Sequence, residues 1–252
     1  MRDAIGRETV WNVQFSRLDL DQSVATACEA LEGSQVVSVA FVNPHSQVVA
    51  SEDADFAKAL TSFSLILADG VGTILAARLL GKALPGRVPG PIFFAELSKT
   101  LNVTRAGTRY FFLGSTPDVL EAIRKRMLVE YPQLVVAGTY SPPMGEFSDS
   151  ACSEMIDAVN AARADVLWVG LTAPKQEKWI AKWGAQTGVK IAAGIGAEFD
   201  YFAEAKRRPP SWVSKLGLQW FHRFLQEPRR TWRRHFVSAP IFLWRAVLTR
   251  SK

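Results

Sequence analysis

Residues 109–137, RYFFLGSTPDVLEAIRKRMLVEYPQLVVA, change their apolar period twice. Arg109–Leu113 is a short aromatic and aliphatic run closed by Gly114-Ser115, which reads as a buried strand ending in a tight turn. From Val119 to Tyr131 the apolar positions become Val119, Leu120, Ile123, Met127 and Leu128, the stripe of one helix face. Leu134–Ala137 (LVVA) returns to a buried strand. Two strands joined through a helix imply a parallel pair, because a parallel connection has to travel back along the sheet.

The same alternation extends outward in both directions. Gln35–Val42, Ser64–Ala68, Asp165–Val169 and Val189–Ala193 read as further buried strands. Thr73–Leu80, Met155–Ala162 and Gln176–Trp183 carry helical stripes. The predicted fold class is therefore α/β, a mainly parallel sheet with helices on both faces. Ligands of such sheets bind outside the carboxyl ends of the strands. The chemically unusual residues collect there: Asn43-Pro44-His45, Asp69-Gly70, Gly114-Ser115 and the stretch from Gly170 to Glu177. Past about Glu204 the alternation stops. Pro209-Pro210 halts regular structure, Pro228 interrupts the short helices expected after it, and Pro240 suits the first turn of a last helix. The expected organisation is a core over residues 1–203 and a helical appendage over 204–252, with no internal repeat.

The chain has 252 residues, 48% apolar and 21% charged, the composition of a globular protein with one good core. Its formal charge of +6 is unevenly spread. Residues 204–252 hold twelve basic and two acidic side chains, a net +10, so the first 203 residues carry a net −4. Eight aromatic residues lie in the same basic segment. No apolar run approaches the ~20 residues that span a bilayer. The charges among Met1–Leu20 leave no apolar centre for a signal peptide, so a cytoplasmic location is expected. Cys28 and Cys152 suit a reducing compartment, and with three histidines they give no zinc-ligand spacing.

Each motif has a chemical reading and a plainer one. Asp69 of Asp69-Gly70-Val71-Gly72 stands where a carboxylate can take a proton from an attacking hydroxyl, or it caps the following helix. Gly114-Ser115 before Pro117 can cradle a diphosphate or serve only as a turn. The missing second and third glycines argue against a dinucleotide fingerprint. Lys175, Gln176 and Glu177, after Pro174, offer a cation, an amide and a carboxylate to a sugar or phosphate, or form a solvated first turn. Glu198 and Asp200 contact a ligand or pair with Lys206 and Arg207, the structural role being favoured. Arg223, Arg230 and Arg233 share one helix face and can hold a diphosphate through bidentate hydrogen bonds. Their aromatic neighbours suit a pocket cover or a lipid interface, and the basic segment suits anionic lipid. Single-stranded nucleic acid and a solvated basic face are the competing readings.

Taken in order, Asn43-Pro44, Ala68-Asp69-Gly70-Val71-Gly72, Arg87-Val88-Pro89-Gly90, Phe112-Leu113-Gly114-Ser115, Tyr131-Pro132 and Pro174-Lys175-Gln176-Glu177 form a recognisable series. It continues with Gly194–Asp200 (GIGAEFD), Leu216–Arg223 (LGLQWFHR), Glu227–Arg230 (EPRR) and Arg233-Arg234. The series resembles the WecG/TagA/CpsF family of bacterial glycosyltransferases, glycosyltransferase family 26, over about residues 35–236. The resemblance implies the family's Rossmann-like fold, the GT-E type, with a C-terminal appendage that completes the active site near the membrane. It implies an inverting, metal-independent transfer from a UDP-sugar to an undecaprenyl-diphosphate-linked saccharide in envelope or exopolysaccharide assembly. No cofactor and no nucleic acid are expected; an anionic surface on the inner face of the membrane and self-association are. By position, Asp69 matches the catalytic base, and Gln176 the amide on substrate or leaving group. Arg223, Arg230 and Arg233 match the arginines on the UDP diphosphate. Asn43, His45, Gly70, Gly114, Ser115, Lys175 and Glu177 complete the substrate-binding set. Phe41 stands where the family often has threonine, and His45 where it has an acidic or amide residue, so the sugar stays open and His45 is a second candidate for the base role. Gln219 replaces the family's usual glutamate. A non-enzymatic nucleotide- or nucleic-acid-binding module is the alternative from another class.

Overall fold

A computed structural model describes residues 5–143, 145–205 and 238–250. It opens on a hairpin of β1 (Arg7–Val10) and β2 (Val13–Ser16), followed by α1 (Leu20–Ala30) and β3 (Val37–Val42). Next come α2 (Pro44–Glu52), α3 (Ala54–Ser62), β4 (Leu65–Ala68), α4 (Val71–Leu79) and α5 (Gly90–Thr104). Strand β5 (Arg109–Gly114), α6 (Pro117–Glu130), β6 (Val135–Tyr140), α7 (Asp149–Ala161) and β7 (Val166–Gly170) continue the alternation. The chain then forms α8 (Lys175–Trp183), β8 (Ile191–Gly194), α9 (Glu198–Phe202) and, near the carboxyl terminus, α10 (Ala239–Arg250).

Six strands make one parallel sheet in the order β4-β3-β8-β7-β5-β6. This is the parallel α/β sheet that the alternation predicts and the Rossmann-like architecture that the resemblance implies, and all six expected strands are present. Boundaries moved by a few residues: β6 runs on to Tyr140, and β8 begins at Ile191 rather than Val189. The expected helices within 73–80, 119–131, 155–162 and 176–183 are α4, α6, α7 and α8. Pro240 lies in the first turn of α10, as read from sequence.

Strand side chains divide by the two-residue period of the pleat. Ala40, Val42, Ile66, Ala68, Phe111, Leu113, Leu167, Val169 and Ala192 face one core, shared with α3, α7, α8 and the hairpin. Val39, Phe41, Leu65, Leu67, Tyr110, Phe112, Trp168, Ile191 and Ala193 face the other, shared with α1, α5, α6 and α9. Trp168 is fully buried there, with Phe94 edge-on at 4.9 Å and Tyr110 at 5.7 Å. Burial of both sheet faces accounts for the inner strands that read as continuous apolar runs, whereas β6, at the sheet edge, is not the buried strand expected: its Val135 is 39% exposed.

The hairpin had no sequence expectation. Its strands are four residues each, one of them carrying Arg7 and Glu8, and its turn is Trp11-Asn12 rather than an Asn-Gly type. Tertiary packing supplies what local pattern lacks: Val10, Val13 and Phe15 are buried, and Asn12 Nδ2 donates to the Gln47 carbonyl at 2.9 Å. Helix α10 docks beside it, with buried Phe242 edge-on to Trp11 at 6.0 Å. Trp244, on the same helix, is 66% exposed.

Candidate functional site

All six parallel strands end at one edge of the sheet, so the segments following β3, β4, β5, β7 and β8 meet there. After β3, Asn43 caps α2, its Oδ1 accepting from the Ser46 amide at 3.1 Å. After β4, the Asp69 N–H donates to the Val42 carbonyl at 2.9 Å, and the Ala68 carbonyl accepts from Val88 N–H at 2.7 Å. The backbone carrying Asp69 is thus fixed on both sides. Gly70, at φ +130°, occupies the cap position of α4, and no side chain caps that helix. Asp69 is therefore not the helix cap that local sequence allowed, and its half-buried side chain stays at the strand end. Pro44 packs so closely that a Cβ on Gly72 would lie 2.8 Å from its ring. The Asn-Pro and Asp-Gly-Val-Gly motifs form one unit.

At the centre, β7 leads into α8, and the first turn of that helix is not solvated. Gln176 is 5% exposed and Glu177 2%. Gln176 Nε2 donates to Glu177 Oε1 at 2.8 Å. The Gln176 carboxamide lies over the end of β8, where a Cβ on Gly194 would meet it at 3.0 Å. Burial pushes the Glu177 carboxyl up to about 7, against which the Gln176 hydrogen bond acts more weakly. Lys175 turns away from this pair: its Nζ donates to the Gly145 carbonyl and sits 4.3 Å from the Phe147 ring centre. Glu198 is also buried, at the start of α9.

Between β5 and β7 the topology switches. The chain leaves β5 toward β6 on one side and leaves β7 toward β8 on the other, with α6 and α8 on opposite faces. Such a point opens a crevice at the strand ends. Gly114 and Ser115 stand in it, both in left-handed backbone, at φ 123° and 61°. The Ser115 carbonyl accepts from Ser141 Oγ at 2.7 Å, and Thr116 caps α6. A Cβ on Gly114 would sit 2.7 Å from the carbonyl carbon of Gly170. Gly114→Ala is expected to cost more than about 3 kcal/mol, from left-handed strain plus a backbone clash. The denaturant midpoint of the variant measures this.

A model described as the glycosyl transferase WecG/TagA/CpsF family matches residues 8–252. The chain belongs to that family. It is a glycosyltransferase, as its relatives are. An N-acetylglucosaminyldiphosphoundecaprenol N-acetyl-beta-D-mannosaminyltransferase of Bacillus subtilis is 32% identical over 92% of this chain and 88% of its own length. Enzymes of the same name from Bacillus spizizenii and Staphylococcus aureus are 30% and 28% identical, over 84% and 83% of this chain and 79% of each relative.

The WecG/TagA/CpsF fold brings Asn43, His45, Asp69, Gly70, Gly114, Ser115, Gln176 and Glu177 to one edge. His45 reaches outward from it: Nδ1 lies 2.8 Å from Ser238 Oγ, at the entrance to α10. The carboxyl-terminal segment is thereby tied to the first turn of α2. Arg223, Arg230 and Arg233 lie outside the described residues, as do Gln219, Pro209-Pro210 and Pro228. Arg87 belongs to the Arg87-Val88-Pro89-Gly90 motif, to which the sequence assigns no role. The pairing of Val88 with Ala68 now carries this half-buried arginine to the Asp69 end of the sheet. Its signal was the Arg-Val-Pro-Gly string, whose return to β4 no local pattern reveals.

Proposed function

We propose that this glycosyltransferase moves an N-acetylated hexosamine from a UDP-sugar to a polyprenyl-diphosphate-linked saccharide, with inversion and without a metal. The observation that carries the reading is Asp69: a half-buried carboxylate at the end of β4, with rigid backbone, that has no helix to cap. The names of the relatives support the acceptor class and the sugar class.

In this mechanism Asp69 takes the proton of the acceptor hydroxyl as its oxygen bonds to the sugar C1 from the face opposite UDP. The bond between C1 and the diphosphate oxygen breaks, and its electron pair leaves with UDP. Negative charge grows on that diphosphate, where pre-placed cations stabilise the transition state most. Arg223, Arg230 and Arg233 are assigned to it, Gln176 to the sugar, and Gly114-Ser115 and Lys175 to the rim of the donor site. The basic carboxyl-terminal segment, with Trp244 and Leu248 exposed on α10, suits an anionic membrane surface. Among the described residues no helix is long and apolar enough to cross a membrane.

A panel of UDP-sugars with a synthetic polyprenyl-diphosphate N-acetylglucosamine acceptor tests the reading through UDP release. UDP-N-acetylmannosamine is expected to be consumed at the same rate with and without chelator. Loss of activity in chelator would overturn the metal-free mechanism. No turnover of any donor, together with salt-sensitive binding of RNA, would favour a binding module instead.

A further inference from the structure

We propose that Glu177 is a positioning residue, which holds the Gln176 amide nitrogen and so presents the Gln176 carbonyl oxygen to the substrate. The proposal rests on the reading of this edge as the sugar site, and it fixes the polarity of one contact there.

An ionised carboxylate only accepts hydrogen bonds, so the end of the Gln176 carboxamide that faces Glu177 is its Nε2. The two atoms lie 2.8 Å apart in a buried setting. The amide therefore has its Oε1 on the opposite side, near the end of β8, where a Cβ on Gly196 would be 3.4 Å away. Gln176 Oε1 and Glu177 Oε2 are both buried, and neither has a hydrogen-bond partner among the described residues. A buried acceptor without a donor is costly, and a ligand that supplies one removes the cost. The complementary group is a sugar hydroxyl or N-acetyl N–H. A phosphate oxygen, itself an acceptor, is the wrong partner.

A protonated Glu177 loses this selectivity, because its hydroxyl can donate to the amide oxygen and turn Nε2 toward the ligand. Among the described residues, the lysines of α8 are engaged elsewhere, and Asp55 and Lys58 of the packed helix α3 are exposed. On α8, Lys175 bonds the Gly145 carbonyl, Lys178 pairs with Asp53 at the α3 start, and Lys182 pairs with Asp149 of α7. Strands β3, β7 and β8 bring no titratable side chain. Glu198 on α9 is the other buried carboxylate at this edge.

The test uses the full chain and Glu177→Gln, whose neutral amide can face Gln176 either way. Above pH 7.5 the variant is expected to lose about tenfold in kcat with KM little changed. Its pH profile should be flat, whereas wild-type kcat falls toward the variant's as pH drops through about 7. In the unliganded protein, the Gln176 side-chain amide signal in nitrogen-15 NMR should titrate near that pH and stop doing so in Glu177→Gln. A variant with the wild-type rate and acid limb would overturn the substrate-facing part. An amide signal indifferent to the substitution would overturn the positioning itself. If the wild type transfers no sugar from any donor, the functional reading fails, and the NMR titration still decides whether Glu177 orients the amide.

Discussion

Asp69→Asn is expected to lower turnover by about three orders of magnitude while the protein stays folded, the scale of a general base removed from its proton. The exchange keeps size and shape and withdraws the acceptor of the proton. The backbone anchors of this segment, Asp69 N–H to the Val42 carbonyl and Val88 N–H to the Ala68 carbonyl, are untouched by the exchange. Helix α4 loses no cap, since Gly70 occupies that position. Sugar transfer by the variant, compared with its denaturation midpoint, separates chemistry from folding. Unchanged turnover would remove Asp69 from the mechanism, and an unfolded variant would show that its side chain is structural.

Glu177→Gln is expected to gain stability, and only at higher pH. The folded-state carboxyl is raised to about 7, mainly by burial, from an ordinary value of 4.5. Between those values the folded chain holds a proton that the unfolded chain has released, so stability falls as pH rises through the window. Below it both states are protonated, and the glutamine variant should match the wild type. Above about 7 both states are ionised and the wild type bears the full cost of a buried charge, about 3 kcal/mol. Thermal unfolding at pH 4 and pH 8 measures it: near-equal midpoints at pH 4, and a variant about 8 °C higher at pH 8. A constant difference at both pH values would show that Glu177 does not titrate in this range. A residue that destabilises its own fold, in the first turn of a helix at the ligand edge, fits a role in activity rather than in packing.

Much of the site was legible as residues and little of it as contacts. Asp69, Gln176 and Glu177 were visible because each follows an apolar strand at a turn. That Asp69 does not cap α4 depended on the backbone of Gly70, and that Gln176 and Glu177 are buried depended on β8 lying next to β7. The motif Lys-Gln-Glu suggests a solvated helix start in isolation, since all three side chains are polar. Gly114 reads as a phosphate-loop glycine, yet its lack of a side chain also serves the contact with Gly170. The hairpin of β1 and β2 was invisible because its strands are stabilised by Asn12, Gln47 and the buried Phe15, not by their own pattern.

The sequence by itself determined the six parallel strands, the two-faced burial of the sheet and the residues at its carboxyl edge. These follow from local period and from the length that a strand-to-strand crossover requires. Only the tertiary structure decided the strand order. A strand apolar on both faces is compatible with either neighbour, so composition does not say that β8 inserts between β3 and β7. That insertion brings the Gln176 amide over Gly194 and Gly196, beside Glu177, and places the pair on the same edge as Asp69.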